Sequence, residues 1–396
     1  MLVFFRSIQP HVQLEEQFNE DFEVTINPNF NWDDKEELKT YDIVNFHKGV
    51  YTNMQSFRNA LEFCKNNNIT TIMDIDDFWE LDKSHSMYSL YKMYGIDKTI
   101  KENLKMVDYV TTTTELFANK IHKFNKNVVV LPNAINPEDK RFKINRKESD
   151  KVRVGLIMGS SHEKDMKLLE TFTNKLSKDV LNKITIVLCG FDTSGTVTVI
   201  NPETREKTNR PTKPMETVWY RYEKCLTDNY RICSKHYTNF LHTFLKGVEY
   251  ENINAESYKR CWTKNINEYY QHYNEVDVLL VPLEENEFNF CKSQLKVVES
   301  AFANTAIIAS NFGPYTINLK HIFNKGGETN EDGNAILIDR KKCHKDWVKY
   351  VTKIVNNKEL LKTLQKRLHD SICNEFDLRN VTQKRCEFYK KINKRG

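Results

Sequence analysis

No two of the nine cysteines stand as a CxxC pair, so zinc-ribbon and dithiol-redox frameworks lack their spacing. A chain of 396 residues needs no disulfides to fold, and reduced thiols in a cytosol fit it best. No apolar run approaches the roughly 20 residues of a membrane span. The opening MLVFFRSIQPH has too short an apolar stretch for a signal peptide. These absences point to a cytoplasmic protein, peripheral at a membrane if its substrate lies there. No internal repeat, low-complexity tract or coiled coil stands out.

What is present is the material of a globular protein: 39% hydrophobic residues, 29% charged, with 23 Phe and 18 Tyr. That excludes disorder and supplies two cores, matching a length that predicts two domains of roughly 150–200 residues each. A net charge of +5 suits an anionic ligand or a solvated Lys/Asn-rich surface, and does not by itself indicate nucleic-acid binding.

Short, continuous apolar runs at Leu2–Phe5, Ile43–Phe46, Thr71–Ile75, Tyr109–Thr112 and Val128–Leu131 read as strands buried on both faces of a parallel sheet. Helical patterns at Met54–Asn66, Ile100–Met106 and Glu115–Phe124 alternate with them, which predicts an open α/β sheet. The polar stretch 136–151 reads as a linker. The pattern then restarts, with strands at Val152–Ile157, Ile184–Leu188, Asp277–Pro282, Ala306–Ser310 and Ala335–Ile338. Helices are expected at Lys164–Leu176 and Ser293–Ala303, and the chain is nearly all helical from Lys345. The segment 192–246 interrupts this rhythm as an insertion. It holds a candidate hairpin at Thr196–Ile200 with a turn at Asn201–Pro202, followed by an aromatic helix-like run.

Three places carry chemistry. In Asp277–Tyr315, Lys292 and Ser293 open a predicted helix, where free N–H groups and the dipole make a phosphate site. Helical spacing puts Lys296 and Glu299 on the face of Ser293, where a carboxylate can bind vicinal ribose hydroxyls; the bland alternative is a solvated amphipathic helix. In Arg153–Leu169 a strand runs into Gly159, Ser160 and His162, a loop that lets a ligand reach the backbone; alternatively His162 and Asp165 cap the helix. In Met73–Trp79, Asp76 and Asp77 follow a buried strand at the edge where α/β sheets bind ligands. They can coordinate a metal, orient an acceptor hydroxyl, act as a base or simply make a turn. His47 can line the same side or be a satisfied structural histidine.

FNFCKSQLKVVE followed by SNFGPY resembles the donor region of GT-B glycosyltransferases, especially retaining family 4 (glycosyl transferases group 1) and its phage and bacterial relatives. The family's paired acids would fall at Cys291 and Glu299, so the first is missing here. The pattern N-x-x-K-S-x-L-K-x-x-E is met by Asn289, Lys292, Ser293, Leu295, Lys296 and Glu299. Gly155, Gly159, His162 and Asp165 match the family's strand-loop-helix, and TTTTELFANKIHKFNKNVVVLPNAINP resembles the end of its first domain. The resemblance implies an α/β, GT-B fold: two Rossmann-like domains facing a central cleft, with a C-terminal helix returning to the first. The expected domains are an acceptor domain 1–140, a donor domain 152–365 containing insertion 192–246, and a helical return 366–396.

It also implies a hexosyl- or pentosyltransferase that moves a sugar from a nucleotide-diphosphate sugar, most simply a UDP-sugar, to a hydroxyl of a glycan or lipid-linked sugar. The reaction would be retaining and independent of metal, with no cofactor beyond the co-substrate. Asp77, His162 and Lys292 are the expected catalytic residues. Gly159, Ser160, Asn289, Lys292, Ser293, Lys296 and Glu299 would hold the donor, with Arg153 a further candidate cation. A hydroxymethylated base in phage DNA is an alternative acceptor. A catalytically inactive GT-B-like binding module, supported by Cys291, and a sugar-nucleotide epimerase are rival readings.

Overall fold

The computed structural model describes residues 4–49, 53–83, 85, 87–192, 194–200, 206–213, 216–227 and 258–395. Two parallel sheets frame it. The first pairs β1 (Ile43–His47), β2 (Thr70–Asp74), β3 (Tyr109–Thr112) and β4 (Val128–Val130) in that order. Helix α1 (Gln9–Gln17) precedes the sheet, and α2 (Met54–Asn66), α3 (Ile96–Met106) and α4 (Glu115–Ile121) connect its strands.

Because each strand is added beside the last, right-handed crossovers send the connecting helices to one face. Side chains alternate across a strand, so Met73, Val110 and Val128 meet Phe57, Leu61, Ile100, Leu104 and Phe117 there. Ile43, Ile72, Tyr109 and Val129 point the other way, to a face with no crossover helix. Leu14 of α1 covers it together with Cys386, Phe388, Tyr389 and Ile392 of the last helix, Leu378–Ile392.

The second sheet contains β5 (Val152–Ile157) and β6 (Ile184–Phe191). After them a two-stranded antiparallel hairpin, β7 (Thr196–Ile200) and β8 (Lys207–Pro211), leads to α5 (Val218–Thr227). The sheet is completed by β9 (Tyr258–Trp262), β10 (Val278–Val281), β11 (Ala306–Ser310) and β12 (Ile336–Ile338), in the order β12-β11-β10-β5-β6-β9 and parallel throughout. Its helices include α6 (Leu295–Phe302), α7 (Cys343–Val355) and α8 (Lys358–Ile372). The chain then crosses back: the Ile135 N–H donates to the Phe376 carbonyl (3.0 Å), and the Leu378 N–H donates to that of Ile135 (2.9 Å). From there α9 (Leu378–Ile392) returns to the first sheet and buries its open face.

Some elements differ from the sequence reading. Phe4–Ile8 is helical, not extended, and Leu2 and Val3 lie outside the described residues. The helix expected at Lys164–Leu176 is a one-turn helix, Glu163–Met166, and two 3₁₀ turns, interrupted at Thr171 with φ +64°. The expected turn Asn201–Pro202 and the aromatic run 228–246 lie outside the described residues. Among the described residues no helix is long and apolar enough to cross a membrane.

Candidate active site

β5 and β10 are neighbours, yet the chain proceeds outward from β5 to β6 and β9, and outward the other way from β10 to β11 and β12. At such a reversal the loops leaving the two strands part and open a crevice at the carboxyl edge of the sheet. The loops here are 158–162 and 282–294, which carry most of the residues singled out from the sequence.

Gly159 and Ser160 are exposed on the first loop. The buried Tyr222 of α5 gathers it: its hydroxyl accepts the His162 backbone N–H (2.9 Å) and donates to the Ser160 carbonyl (3.0 Å). His162 is not a side-chain cap; its Nδ1 meets the Asp165 carboxylate at 2.7 Å. The other Asp165 oxygen accepts the Glu284 N–H (2.7 Å) and the Asn289 amide (3.1 Å), lacing the two loops together. Asn289, which also donates to the Glu284 carbonyl (2.8 Å), is a buried strut. Burial, reinforced by Lys292, lowers the His162 pKa against the pull of Asp165. The neutral ring with its Nδ1–H on Asp165 leaves Nε2 as an acceptor.

The second loop is pinned from both domains. Phe288, Phe290 and Cys291 join the apolar cluster of Phe78, Trp79 and Phe117 in the first domain. Lys120 pairs with Glu287 at 2.6 Å; beside the first loop, Lys164 of the second domain pairs with Asp82 of the first at 2.8 Å. Gly313, at φ +55°, lies against the loop; a Cβ there would come 3.1 Å from the Phe290 Cα and 3.3 Å from the Asn289 carbonyl. Cys291, where the resemblance would place an acid, is fully buried, and burial pushes its thiol pKa up to about 12.

Lys292 is partly buried and has no ion-pair partner among the described residues; Phe288 lies 5.4 Å below its ammonium. Burial draws its pKa below the ordinary value, with Asp165 and Asp77 opposing. The crevice thus holds a desolvated cation between carboxylates of the two domains. α6 begins beyond it with Gln294, not Ser293, at the cap position, and the Gln294 side chain makes no capping hydrogen bond.

Glu299 does not face the opening. Its carboxylate is fully buried and accepts from Tyr269 (2.5 Å), Tyr273 (2.9 Å) and Lys296 (2.9 Å). Lys296 is therefore paired, unlike Lys292. Arg153 is also removed from the cleft: it starts β5, at the far edge of the sheet, in a two-pronged pair with Asp277 at 2.9 Å.

Across the cleft, the carboxyl ends of β1 and β2 carry a charge cluster. Arg6 pairs with Asp74 (2.6 and 3.0 Å), both 1% exposed. His47 bridges Asp74 (3.3 Å) and Asp76 (3.4 Å), and Lys48 bridges Asp76 (3.0 Å) and Asp77 (3.1 Å). Burial opposes charge on His47, but the two carboxylates outweigh it and raise its pKa from 6.5 to about 9. Burial would raise Asp76 as well, yet His47 and Lys48 hold it down at about 2.

A raised histidine stabilises the fold fully below its unfolded value, and that stability is lost as pH rises from 6.5 to about 9. The wild-type protein should lose about 3 kcal/mol across that window. Urea unfolding at stepped pH checks this, and His47→Gln should flatten the slope.

No protein-family profile and no curated protein matches the chain. Solved structures do. Anabaena HepE in complex with UDP-glucose has 10% identity and a TM-score of 0.53, over 90% of this chain and 80% of that one. TarM has 12% identity and a TM-score of 0.52, over 89% and 56%. The catalytic domain of Arabidopsis thaliana starch synthase IV, bound to ADP and acarbose, has 10% identity and a TM-score of 0.54, over 89% and 73%. The fold is GT-B. In that frame the cleft between the two sheets is the natural place for a ligand.

Several site residues were not found from sequence. Tyr222 lies 60 residues from the loop it holds, and Arg6 lies 68 residues from Asp74. Tyr269 and Tyr273 sit on a 3₁₀ turn, Tyr269–Glu275, that carries no motif.

Proposed function

We propose that the chain is a glycosyltransferase that binds a nucleotide-diphosphate sugar, in the first instance a UDP-sugar, in the crevice between β5 and β10. It would pass the sugar to a hydroxyl acceptor held by the first domain. The observation that carries this is Lys292: a desolvated lysine, without an ion-pair partner among the described residues, at the switch point of the second sheet. Similar structures hold UDP-glucose in one case and ADP in another, which supports the choice of ligand class.

In this reading the backbone of Gly159 and Ser160, the backbone at Ser293 and Gln294 just before α6, and the Lys292 ammonium receive the diphosphate, and Lys292 stabilises its charge as the sugar departs. Asn289 keeps the two loops in register through Asp165. His162, with Nε2 free to accept, takes a hydrogen bond from a sugar hydroxyl. Lys296 adds positive potential. Glu299, closed off by its three donors, holds Lys296 and the tyrosine pair in place and so acts on the ribose region indirectly. Asp77, ion-paired to Lys48, orients or deprotonates the acceptor hydroxyl. Cations in place of a metal, and retention of configuration as in the family 4 enzymes that the motifs resemble, belong to the same proposal.

Thermal shift with UDP, GDP, ADP, CMP and their sugar conjugates tests it. A ligand at 100 times its Kd adds about 2.7 kcal/mol. One diphosphate series should stabilise the wild type and lose most of that effect in Lys292→Met. If no nucleotide moves the melting temperature, the donor assignment fails and the binding-module reading takes its place.

A further inference from the structure

We propose that Cys189, Cys261 and His272 form a buried site for a thiophilic d¹⁰ cation, Zn²⁺ or Cu⁺, beneath the sheet of the second domain. Cys189 and Cys261 are register partners on the adjacent parallel strands β6 and β9, so their side chains stand side by side on one face. The bulge that follows in β6 is made at Gly190, φ +97°, where a Cβ would meet the Met158 carbonyl at 2.8 Å. His272 comes down on that face from the 3₁₀ turn Tyr269–Glu275. The two sulfurs and a ring nitrogen all lie within 4.8 Å of one another. Zn–S and Zn–N bonds of about 2.3 and 2.0 Å place ligand atoms roughly 3.5–4 Å apart, so closure needs an adjustment of at most about 1.3 Å.

Burial supplies an independent argument. Cys189 is 0%, His272 2% and Cys261 6% exposed, and neither ring nitrogen of His272 has a hydrogen-bond partner. A buried imidazole with both nitrogens unsatisfied is costly, and coordination through one of them answers that cost. Lys264, Lys296 and Lys259 lie around the ring, and neutral imidazole is the ligand form.

Binding releases the two thiol protons. With Zn²⁺ the two thiolates leave the buried site uncharged. With Cu⁺ they leave one negative charge facing those lysines, and three ligands suffice. The turn that supplies His272 also supplies Tyr269 and Tyr273, the two hydroxyls on Glu299. The ion would therefore brace the floor of the crevice. None of this depends on the glycosyltransferase reading.

The test uses the full reduced chain, stripped with a chelator. It is then given one equivalent of Zn²⁺ or Cu⁺ in separate arms, with Co²⁺ as the spectroscopic probe. The expected result is about one equivalent retained after gel filtration in at least one arm, a thiolate-to-cobalt charge-transfer band, and a melting temperature raised by several degrees. The retained ion identifies the metal. Cys189→Ser with Cys261→Ser, and separately His272→Gln, should abolish retention.

As a check independent of variant folding, metal should protect Cys189 and Cys261 of the wild type from alkylation in mild urea. Protection of Cys64 and Cys386, which pack in the first domain, should be markedly weaker. Failure of the folded wild type to retain either metal would overturn the site. So would equal retention by folded variants, equal protection of Cys64 and Cys386, or a native disulfide joining Cys189 to Cys261.

Discussion

Lys292→Ala is expected to lower turnover of the nucleotide sugar about 10²–10³-fold, the loss typical of removing one group that stabilises developing negative charge. The same change should leave the free protein as stable as the wild type or slightly more so. Lys292 has no ion-pair partner among the described residues, and burial alone disfavours its charge, so truncation removes a desolvation cost and forfeits no salt bridge. Lys292→Met, which keeps the apolar stem over Phe288, should be the more stable of the two by up to about 1 kcal/mol. A group whose removal costs activity but no stability is serving a ligand. Steady-state kinetics and urea unfolding on the same preparations check both halves. A large loss of stability would show instead that Lys292 supports the fold.

Glu299→Ala is expected to behave in the opposite way. The side chain is fully buried and receives three donors, the hydroxyls of Tyr269 and Tyr273 and the ammonium of Lys296. Alanine strands two buried hydroxyls and an ammonium, and opens a cavity. Removing one partner from such an arrangement costs about 3–5 kcal/mol. In a protein of this size that lowers the melting temperature by roughly 6–10 °C. Glu299→Gln retains an acceptor for one tyrosine and should lose about half as much. Thermal unfolding without ligand is the measurement. An alanine variant as stable as the wild type would mean that the carboxylate turns outward in solution and is free for a ribose.

Most strands of the two parallel sheets were legible because both sheets are covered on both faces, so a strand such as Val278–Val281 or Ala306–Ser310 reads as a continuous apolar run, whereas β9, with Lys259 and Arg260 in its middle, was not. Strand order was not legible, and order creates the crevice: only the reversal at β5 and β10 explains why the Gly159–His162 loop and the Asn289–Lys292 loop meet. Glu299 shows the limit of a periodicity argument. Helical spacing places it on a face, but what covers that face comes from Tyr269 and Tyr273, in a segment with no periodic pattern.

Ser293 was read as a cap because it is a good capping residue after a loop. The helix instead starts two residues later, at Leu295, whose side chain is buried. Insertion 192–246 had no assigned role in the sequence, yet α5 within it supplies the Tyr222 hydroxyl that shapes the loop after β5. Arg153 is a further candidate cation in the sequence because it precedes the Gly159 loop by only six residues. It begins the strand that the loop ends, so the length of β5 separates it from the crevice.

Turnover of the donor tests the central claim most directly. Release of nucleoside diphosphate should be followed across UDP-, GDP-, ADP- and other common diphosphate sugars, with and without a panel of hydroxyl acceptors, for wild type and Lys292→Ala. One nucleotide series should be cleaved, faster when the right acceptor is present, and at least about 100-fold more slowly by the variant. Absence of cleavage and binding for every donor, or equal rates in wild type and variant, would contradict the account.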